Sequence, residues 1–202
     1  WTISRIDLGS PDDVRIIGQV YGSTSTSNAA TPPLTHKLYD GISVKEFGAK
    51  GDGIADDTSA INNAITAAAT STTRSVWFPA GTYMVEAVSK HIQMKDGVDL
   101  HLASGTVLQA ITNASGAYSI VMAVGVSNAG VYGGTISGER TTHIGVGGEW
   151  GMCINLQGVT NFRISNVTVR DCWGDGIYVT GNGAGFATPS KNVTIDHVIA
   201  DN

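Results

Sequence analysis

The chain has 202 residues, of which only 14% are charged and 26 are glycine, and its formal net charge is -5. Soluble proteins average about 25% charged residues and about 7% glycine, so this composition is typical of a backbone that turns often. The negative charge disfavours nucleic acid and anionic membrane surfaces as partners, and no apolar run approaches the roughly 18 residues that span a bilayer.

The first 40 residues differ from those that follow. Residues 14–21 (VRIIGQVY) could form a strand, and residues 22–35 are rich in Ser, Thr, Asn and Ala and contain Pro32-Pro33. A stretch of this composition is typical of a linker. We therefore predict an N-terminal attachment segment and linker over residues 1–40 and a main domain over residues 41–202.

The main domain begins with a short strand and a Gly/Asp turn over residues 42–53, and a strand, a Pro-Gly turn and another strand follow over residues 76–85. Between them, Asp56 and Asp57 are N-cap candidates for a helix over residues 57–69. The apolar residues of this helix recur at helical spacing: they are Ala60, Ile61, Ala64, Ile65 and Ala68.

A bent pair of short strands recurs in the second half of the chain. The clearest copy has apolar residues at strand spacing on both sides of a break at residues 165–166: Phe162, Ile164, Val167 and Val169. An offset of 31 maps them onto Val193, Ile195, Val198 and Ala200, and offsets of -31 and -62 map them onto residues 131–138 and 100–107. Further along, Ile177 and Val179 repeat Ile154 and Leu156 at an offset of 23.

Such a unit buries its apolar face only by stacking on its neighbours, so the repeat favours a solenoid. Successive copies run in the same direction, which makes the strands parallel, and parallel crossovers are right-handed. The sequence therefore predicts an all-β fold, a right-handed parallel β-helix, with helix 57–69 as its N-terminal cap. A β-sandwich is the alternative. Because an open last coil would expose a strand edge, we expect further coils beyond residue 202 or a covering partner chain.

The two cysteines do not suggest a disulfide. In the 23-residue alignment Cys153 matches Gly176 and Cys172 matches Glu149, so the two cysteines do not occupy equivalent positions of neighbouring coils. The sequence predicts buried free thiols.

Two groups of residues resemble a known superfamily. Residues 47–61 (FGAKGDGIADDTSAI) and 76–83 (VWFPAGTY) resemble the opening signature of the pectate-lyase-like superfamily. Residues 133–138 (GGTISG) and 166–179 (NVTVRDCWGDGIYV) resemble the bacteriophage tailspike depolymerases of that superfamily. The resemblance implies a homotrimeric β-helix in the virion that binds and cleaves bacterial capsule or lipopolysaccharide outside the host cell. It also implies that the N-terminal segment attaches the spike to a phage tail or baseplate protein.

Hydrolysis of a glycosidic bond needs two carboxyl groups that face one linkage, about 5 Å apart for retention and about 6.5–9.5 Å for inversion. The candidates are Asp175, Glu149 and Asp171, because the 23-residue alignment places Glu149 one coil before the two aspartates. Asp175-Gly176-Ile177 also resembles half of the paired-aspartate motif of polygalacturonases, although Gly174 stands where that motif has its first aspartate. The alternative is that Asp171 and Asp175 accept hydrogen bonds from turn amides.

Two tryptophans and two loops are candidates for binding a glycan. Trp150 and Trp173 align at one corner and could offer flat faces to the C–H groups of a sugar, although they could also pack inside the corner. Residues 138–151 and 181–191 are predicted to form the walls of a groove. The polar side chains that the first loop would present to the glycan are Glu139, Arg140 and His143.

The histidines show no metal-ligand spacing, so no metal and no cofactor is expected. Two other functions stay open: a structural or binding β-helix portion of a tail protein without catalysis, and a cellular uronate lyase or epimerase that shares the opening signature. The last is disfavoured because neither calcium-binding aspartates nor a Lys or Arg base can be placed.

Overall fold

The computed structural model describes residues 6–8, 14–16 and 41–201. The chain divides into two compact units, Trp1–Tyr39 and Asp40–Asn202. In the first unit, β1 (Ile6–Leu8) and β2 (Val14–Ile16) pair antiparallel. The rest of the predicted first strand, residues 17–21, and the predicted linker lie outside the described residues.

The second unit consists of three parallel sheets that the chain visits in turn, as in a β-helix. The first sheet contains β3 (Ile42–Ser43), β5 (Ser75–Phe78), β8 (Asp99–Leu102), β11 (Ser127–Tyr132), β14 (Thr160–Ser165) and β17 (Lys191–Asp196). The second sheet contains β4 (Asp52–Asp56), β6 (Gly81–Val85), β9 (Thr106–Ala110), β12 (Thr135–Ser137), β15 (Thr168–Arg170) and β18 (Ile199–Asp201). The third sheet contains β7 (Ile92–Gln93), β10 (Ala117–Val124), β13 (Trp150–Gln157) and β16 (Ile177–Thr180).

The register of the coils confirms part of the predicted repeat. Phe162 pairs with Val193 at an offset of 31, and Ile154 pairs with Ile177 at an offset of 23. One step towards the N-terminus the alignment at 31 is wrong by two residues, because Phe162 pairs with Ala129 at an offset of 33. The loops inside a coil differ in length, whereas the pairing of inward apolar residues fixes the register of each sheet.

Columns of inward side chains form the core. In the first sheet one column joins neighbouring coils at the same register position and is fully buried: it contains Val76, Leu100, Val131 and Ile164. Burying each such side chain contributes about 1.5–3 kcal/mol. Because every coil rests on the next, the core is continuous along the stack.

The predicted helix is α1 (Thr58–Ala68), which packs against β3, β5, β6 and β7. Its buried residues include four of the five predicted apolar positions: Ile61, Ala64, Ile65 and Ala68. The N-cap residue is Asp57, but its carboxylate accepts hydrogen bonds from the amides of Lys50 (2.5 Å) and Gly51 (2.9 Å) instead of from α1. Asp56 accepts the amide of Thr58 at 3.0 Å. None of the helices described is long and apolar enough to cross a membrane.

The prediction of two free thiols is wrong, because Cys153 and Cys172 form a disulfide with Cα atoms 5.6 Å apart. Cys153 lies in β13, and Cys172 lies between β15 and β16 on the next coil. The bridge therefore joins the strand of one coil to the turn of its neighbour. A search for equivalent positions in the repeat cannot find such a diagonal pair.

Candidate functional site

A groove of about 470 Å³ lies along β10, β13 and β16 of the third sheet. Its aromatic lining, which defines the aromatic groove, consists of Tyr118, Trp150, Tyr178 and Phe186. Trp150 is the first residue of β13, and its side chain is 58% exposed. Its ring meets that of Tyr178 edge-on, with centroids 6.2 Å apart. Phe186 reaches the groove from the loop after β16, so residues 181–191 contribute to its wall.

Amide and hydroxyl groups line the same groove. Asn155 lies beside Met122 and Tyr178 in the register of the sheet. Its Nδ2 donates to Oγ of Ser119 at 3.1 Å, and its Oδ1 accepts from Nε2 of Gln157 at 3.2 Å. Asn155 is buried, so these bonds hold its amide in a fixed orientation.

The lining of the aromatic groove contains no Asp, Glu, Lys or Arg among the described residues. Its histidine, His91, has a pKa lowered by burial, an effect that the charge of Glu86 partly opposes. The phenol of Tyr118 has a pKa raised by burial and by the nearby carboxylate of Glu139. At neutral pH the lining is therefore uncharged.

The loop before β13 covers a buried polar cluster instead of presenting it to the groove. Glu139 and His143, predicted as glycan ligands, have fully buried side chains joined by a 2.8 Å bond between Oε1 and Nδ1. The ring of His143 stacks on Trp173 at 3.9 Å between centroids. The main-chain amide of Trp173 donates to the Tyr118 hydroxyl at 3.4 Å. Glu139 and His143 therefore support the loop and the rear of Tyr118.

The other predicted binding residues are separated by the fold. Trp150 lines the aromatic groove, whereas Trp173 does not line it and packs partly buried against the core. Arg140 is exposed, and its guanidinium donates to the carbonyl of Cys172 at 3.4 Å. The structure thus brings only Trp150 of the predicted binding set into the groove.

The three carboxylates predicted to be catalytic lie outside the lining of the groove. Glu149 and Asp175 are exposed, and they belong to neighbouring coils at one corner, since the amide of Gly174 donates to the carbonyl of Gly151 at 2.7 Å. Asp171 has a positive φ of 50° and lies 3.9 Å from Nε of Arg170. Its carbonyl accepts the amide of Arg140 at 2.9 Å, so Asp171 shapes the turn.

The sequence interpretation missed an asparagine ladder. Nδ2 of Asn161 donates to Asn128 and Nδ2 of Asn192 donates to Asn161, each at 2.9 Å. All three residues have positive φ. The signal was present as Asn at separations of 33 and 31 residues. The amides of Asn155 and Gln157 were missed too, although they alternate with the apolar residues Ile154 and Leu156 along β13. Among the described residues, no group of three His, Cys, Asp or Glu side chains is arranged to hold a metal.

Residues 41–138 match a family model described as rhamnogalacturonase A/epimerase, pectate lyase-like. The match begins just before β3 and ends just after β12, so it includes the opening signature. The description of this family names carbohydrate-active enzymes.

Three comparisons illustrate the range of similar proteins. The plasmin and fibronectin-binding protein A of Streptococcus pneumoniae is 34% identical over 77% of this chain and 23% of its own length. The pre-neck appendage protein of Bacillus phage phi29 is 26% identical over 78% of this chain and 20% of its own length. The solved structure of pre-mature bacteriophage phi29 gene product 12 has a TM-score of 0.63 and 26% identity, covering 75% of this chain and 21% of that one.

The chain spans less than a third of the length of the curated relatives that it matches. Residues 41–138 carry the family match, and the sheets continue the same coil through β18. Phage appendage proteins are among the relatives. Residues 41–138 are therefore pectate-lyase-like in sequence, and the coiled sheets are pectate-lyase-like in fold, which confirms the resemblance to that superfamily predicted from the sequence.

Proposed function

We propose that the protein is a virion component of a phage tail that binds bacterial surface polysaccharide in the aromatic groove and cleaves it. The observation that carries the proposal is the groove itself, an elongated surface of aromatic rings and fixed amides on a rigid sheet. Aromatic faces pack against the C–H groups of sugars, and amides bond to their hydroxyls. The phage pre-neck appendage relative supports the virion location.

Glu149 and Asp175 are the proposed catalytic pair. They come from neighbouring coils, which are separated by about 4.8 Å, so their carboxylates can approach one linkage from the same corner. One would protonate the departing oxygen, and the other would act as nucleophile or general base. The proposal puts both near the end of the groove at Trp150, because Glu149 precedes Trp150 in the chain and the amide of Gly174, beside Asp175, donates to Gly151. Asp171 is the weaker candidate, since its neighbour Arg170 and its turn already account for its position.

Cleavage is tested by changing Asp175→Asn and Glu149→Gln separately and measuring new reducing ends from host polysaccharide. Each change should lower the rate by about 10²–10⁴, because a general acid or base is lost. Glu46→Gln is the matched control, since Glu46 is exposed in the 3-10 helix Val44–Phe47, far from the groove in the sheet order. Parent rates in both variants, with folding unchanged, would exclude these carboxylates from catalysis.

The assembly belongs to the same proposal. We take the coil to be right-handed because parallel crossovers have that hand, and α1 to cap its N-terminal end because its apolar face lies on the first strands. Residues 1–40 would attach the spike to a tail or baseplate protein, and three chains would associate. Sedimentation equilibrium of the purified chain should give a mass about three times the monomer's 20.9 kDa. A stable monomer would contradict the trimer.

A second function, binding without cleavage, is favoured by one observation: no carboxylate of the residues that the structure describes lines the groove. The streptococcal relative is likewise named for binding. The two functions separate in one assay, since a binding protein would retain host polysaccharide on a column and release no new reducing ends.

A further inference from the structure

The described residues that line the aromatic groove offer no charge to a ligand. Acidic polysaccharides carry a carboxylate on many sugars, and each carboxylate needs a cation or several hydrogen-bond donors once it leaves water. No Lys or Arg lines the groove among the described residues, and the pKa of His91 is lowered by burial, so this ring is neutral at pH 7. Within the described part of the chain, the groove therefore has no cation with which to pair a uronate.

The surroundings of the groove add repulsion. The exposed carboxylate of Glu149 stands next to Trp150, and the whole chain carries a formal net charge of -5. An acidic protein repels a polyanion over about a Debye length, roughly 8 Å at physiological salt. Both the local and the long-range electrostatics thus disfavour binding of an acidic polysaccharide.

The polar atoms of the groove suit hydroxyl groups. Asn155 and Gln157 are amides, which both donate and accept, and one bond already joins them at 3.2 Å. A sugar hydroxyl also donates and accepts, so it can extend this network in either sense, whereas a carboxylate only accepts. The exposed face of Trp150 provides apolar contact for the ring of such a sugar.

We propose that the aromatic groove selects an uncharged polysaccharide, one whose sugars lack carboxylate and sulfate groups, because its rings and amides present no cation. This proposal rests on the proposed function of the same groove and names its substrate class. A neutral substrate would also argue against the uronate lyase or epimerase activity that the sequence leaves open.

The test uses polymer pairs that differ only in charge. Pullulan, laminarin and a galactan are compared with their own forms in which primary alcohols are oxidised to carboxylates, by affinity electrophoresis and titration calorimetry. At least one neutral polymer should bind about tenfold or more tightly than its oxidised form, a difference of about 1.4 kcal/mol. Trp150→Ala should abolish most of this binding, and Phe47→Ala, an exposed aromatic outside the groove, should not.

A charge added to the groove provides the second measurement. Thr180→Lys places a cation in the lining and should raise affinity for the oxidised polymer about tenfold, an increase lost at high salt. Thr72→Lys adds the same charge at an exposed position away from the groove and should leave the preference unchanged.

The outcomes separate the two proposals. Tighter binding of oxidised polymers by the parent would overturn the neutral substrate class and leave glycan binding intact. Binding of neither form by the parent would overturn the proposed function, and the substrate class with it. Neutral binding that survives Trp150→Ala would show that the glycan lies elsewhere and would also overturn the proposal.

Discussion

Gly174 explains why the paired-aspartate motif of polygalacturonases is incomplete in this chain. A Cβ at this position would lie 2.1 Å from the carbonyl oxygen of Glu149 and 3.1 Å from the amide nitrogen of Gly151. No side chain fits there while β13 starts where it does. The sequence shows that Gly174 replaces the first aspartate of the motif. The reason for the glycine is a contact between neighbouring coils that only the structure shows.

Gly174→Ala should therefore displace the segment that carries Glu149 and Trp150. We expect a loss of about 1–3 kcal/mol in the free energy of unfolding, the usual cost of overpacking, together with weaker glycan binding. Gly147→Ala is the matched control, because a Cβ at Gly147 meets nothing within 4 Å. Urea unfolding and tryptophan fluorescence measure both variants. Equal stability of the two would mean that the corner relaxes without cost.

Asp57 illustrates what could and could not be predicted for a single residue from the sequence. Its position before an apolar stripe correctly predicted the start of α1, yet its carboxylate bonds Lys50 and Gly51 of the preceding turn. An N-cap prediction uses only the residues that follow the cap. Here the preceding turn lies next to the start of the helix, so its amides bind the carboxylate instead. Glu139 and His143 differ from their expected exposure for a similar reason. Polar residues in a loop suggest exposure, but these two pair with each other and become buried.

At the scale of elements, the repeat was visible because inward apolar residues recur on each coil. The offset of 23 between β13 and β16 was correct, since β14, β15 and short connections make up the rest of that coil, without a long loop. The alignment at 31 failed between β11 and β14, where the pairing is offset by 33 residues. A change in loop length leaves the pattern of apolar residues within each strand unchanged. The sequence therefore predicts the presence of the coils better than the register between them.

The disulfide should stabilise the corner beside the groove. It closes a sequence separation of 19 residues, for which chain entropy predicts about 3 kcal/mol. Reduction with dithiothreitol, or the double change Cys153→Ser and Cys172→Ser, should lower the free energy of unfolding by about 2–4 kcal/mol in urea titrations. The double variant itself should not respond to dithiothreitol. If reduction leaves the parent's stability unchanged, the bridge does not constrain its unfolded chain.

Across the whole molecule, the all-β class and the helix at 58–68 were predictable because they depend on periodic apolar residues and on the opening signature. The site was less predictable. Trp150 was predicted to bind a glycan and does line the groove, but the groove is made by residues of three strands that are remote in sequence. Outward polar residues need not recur at a fixed spacing, so the sequence does not indicate which of them lie together in the groove.

Stability should vary along the stack, because each coil contacts only its neighbours. The strands β8, β11 and β14 lie between two others in the first sheet, whereas β17 has one partner among the strands described. Every residue of β18 is exposed. Hydrogen exchange read by mass spectrometry should therefore give the slowest exchange in β8, β11 and β14 and the fastest among the strands in β17 and β18, since local opening of an end coil breaks one interface instead of two. Covering the last coil with a binding partner should slow β17 and β18 selectively. Uniform protection along the stack would instead mean that the unit unfolds as one cooperative block.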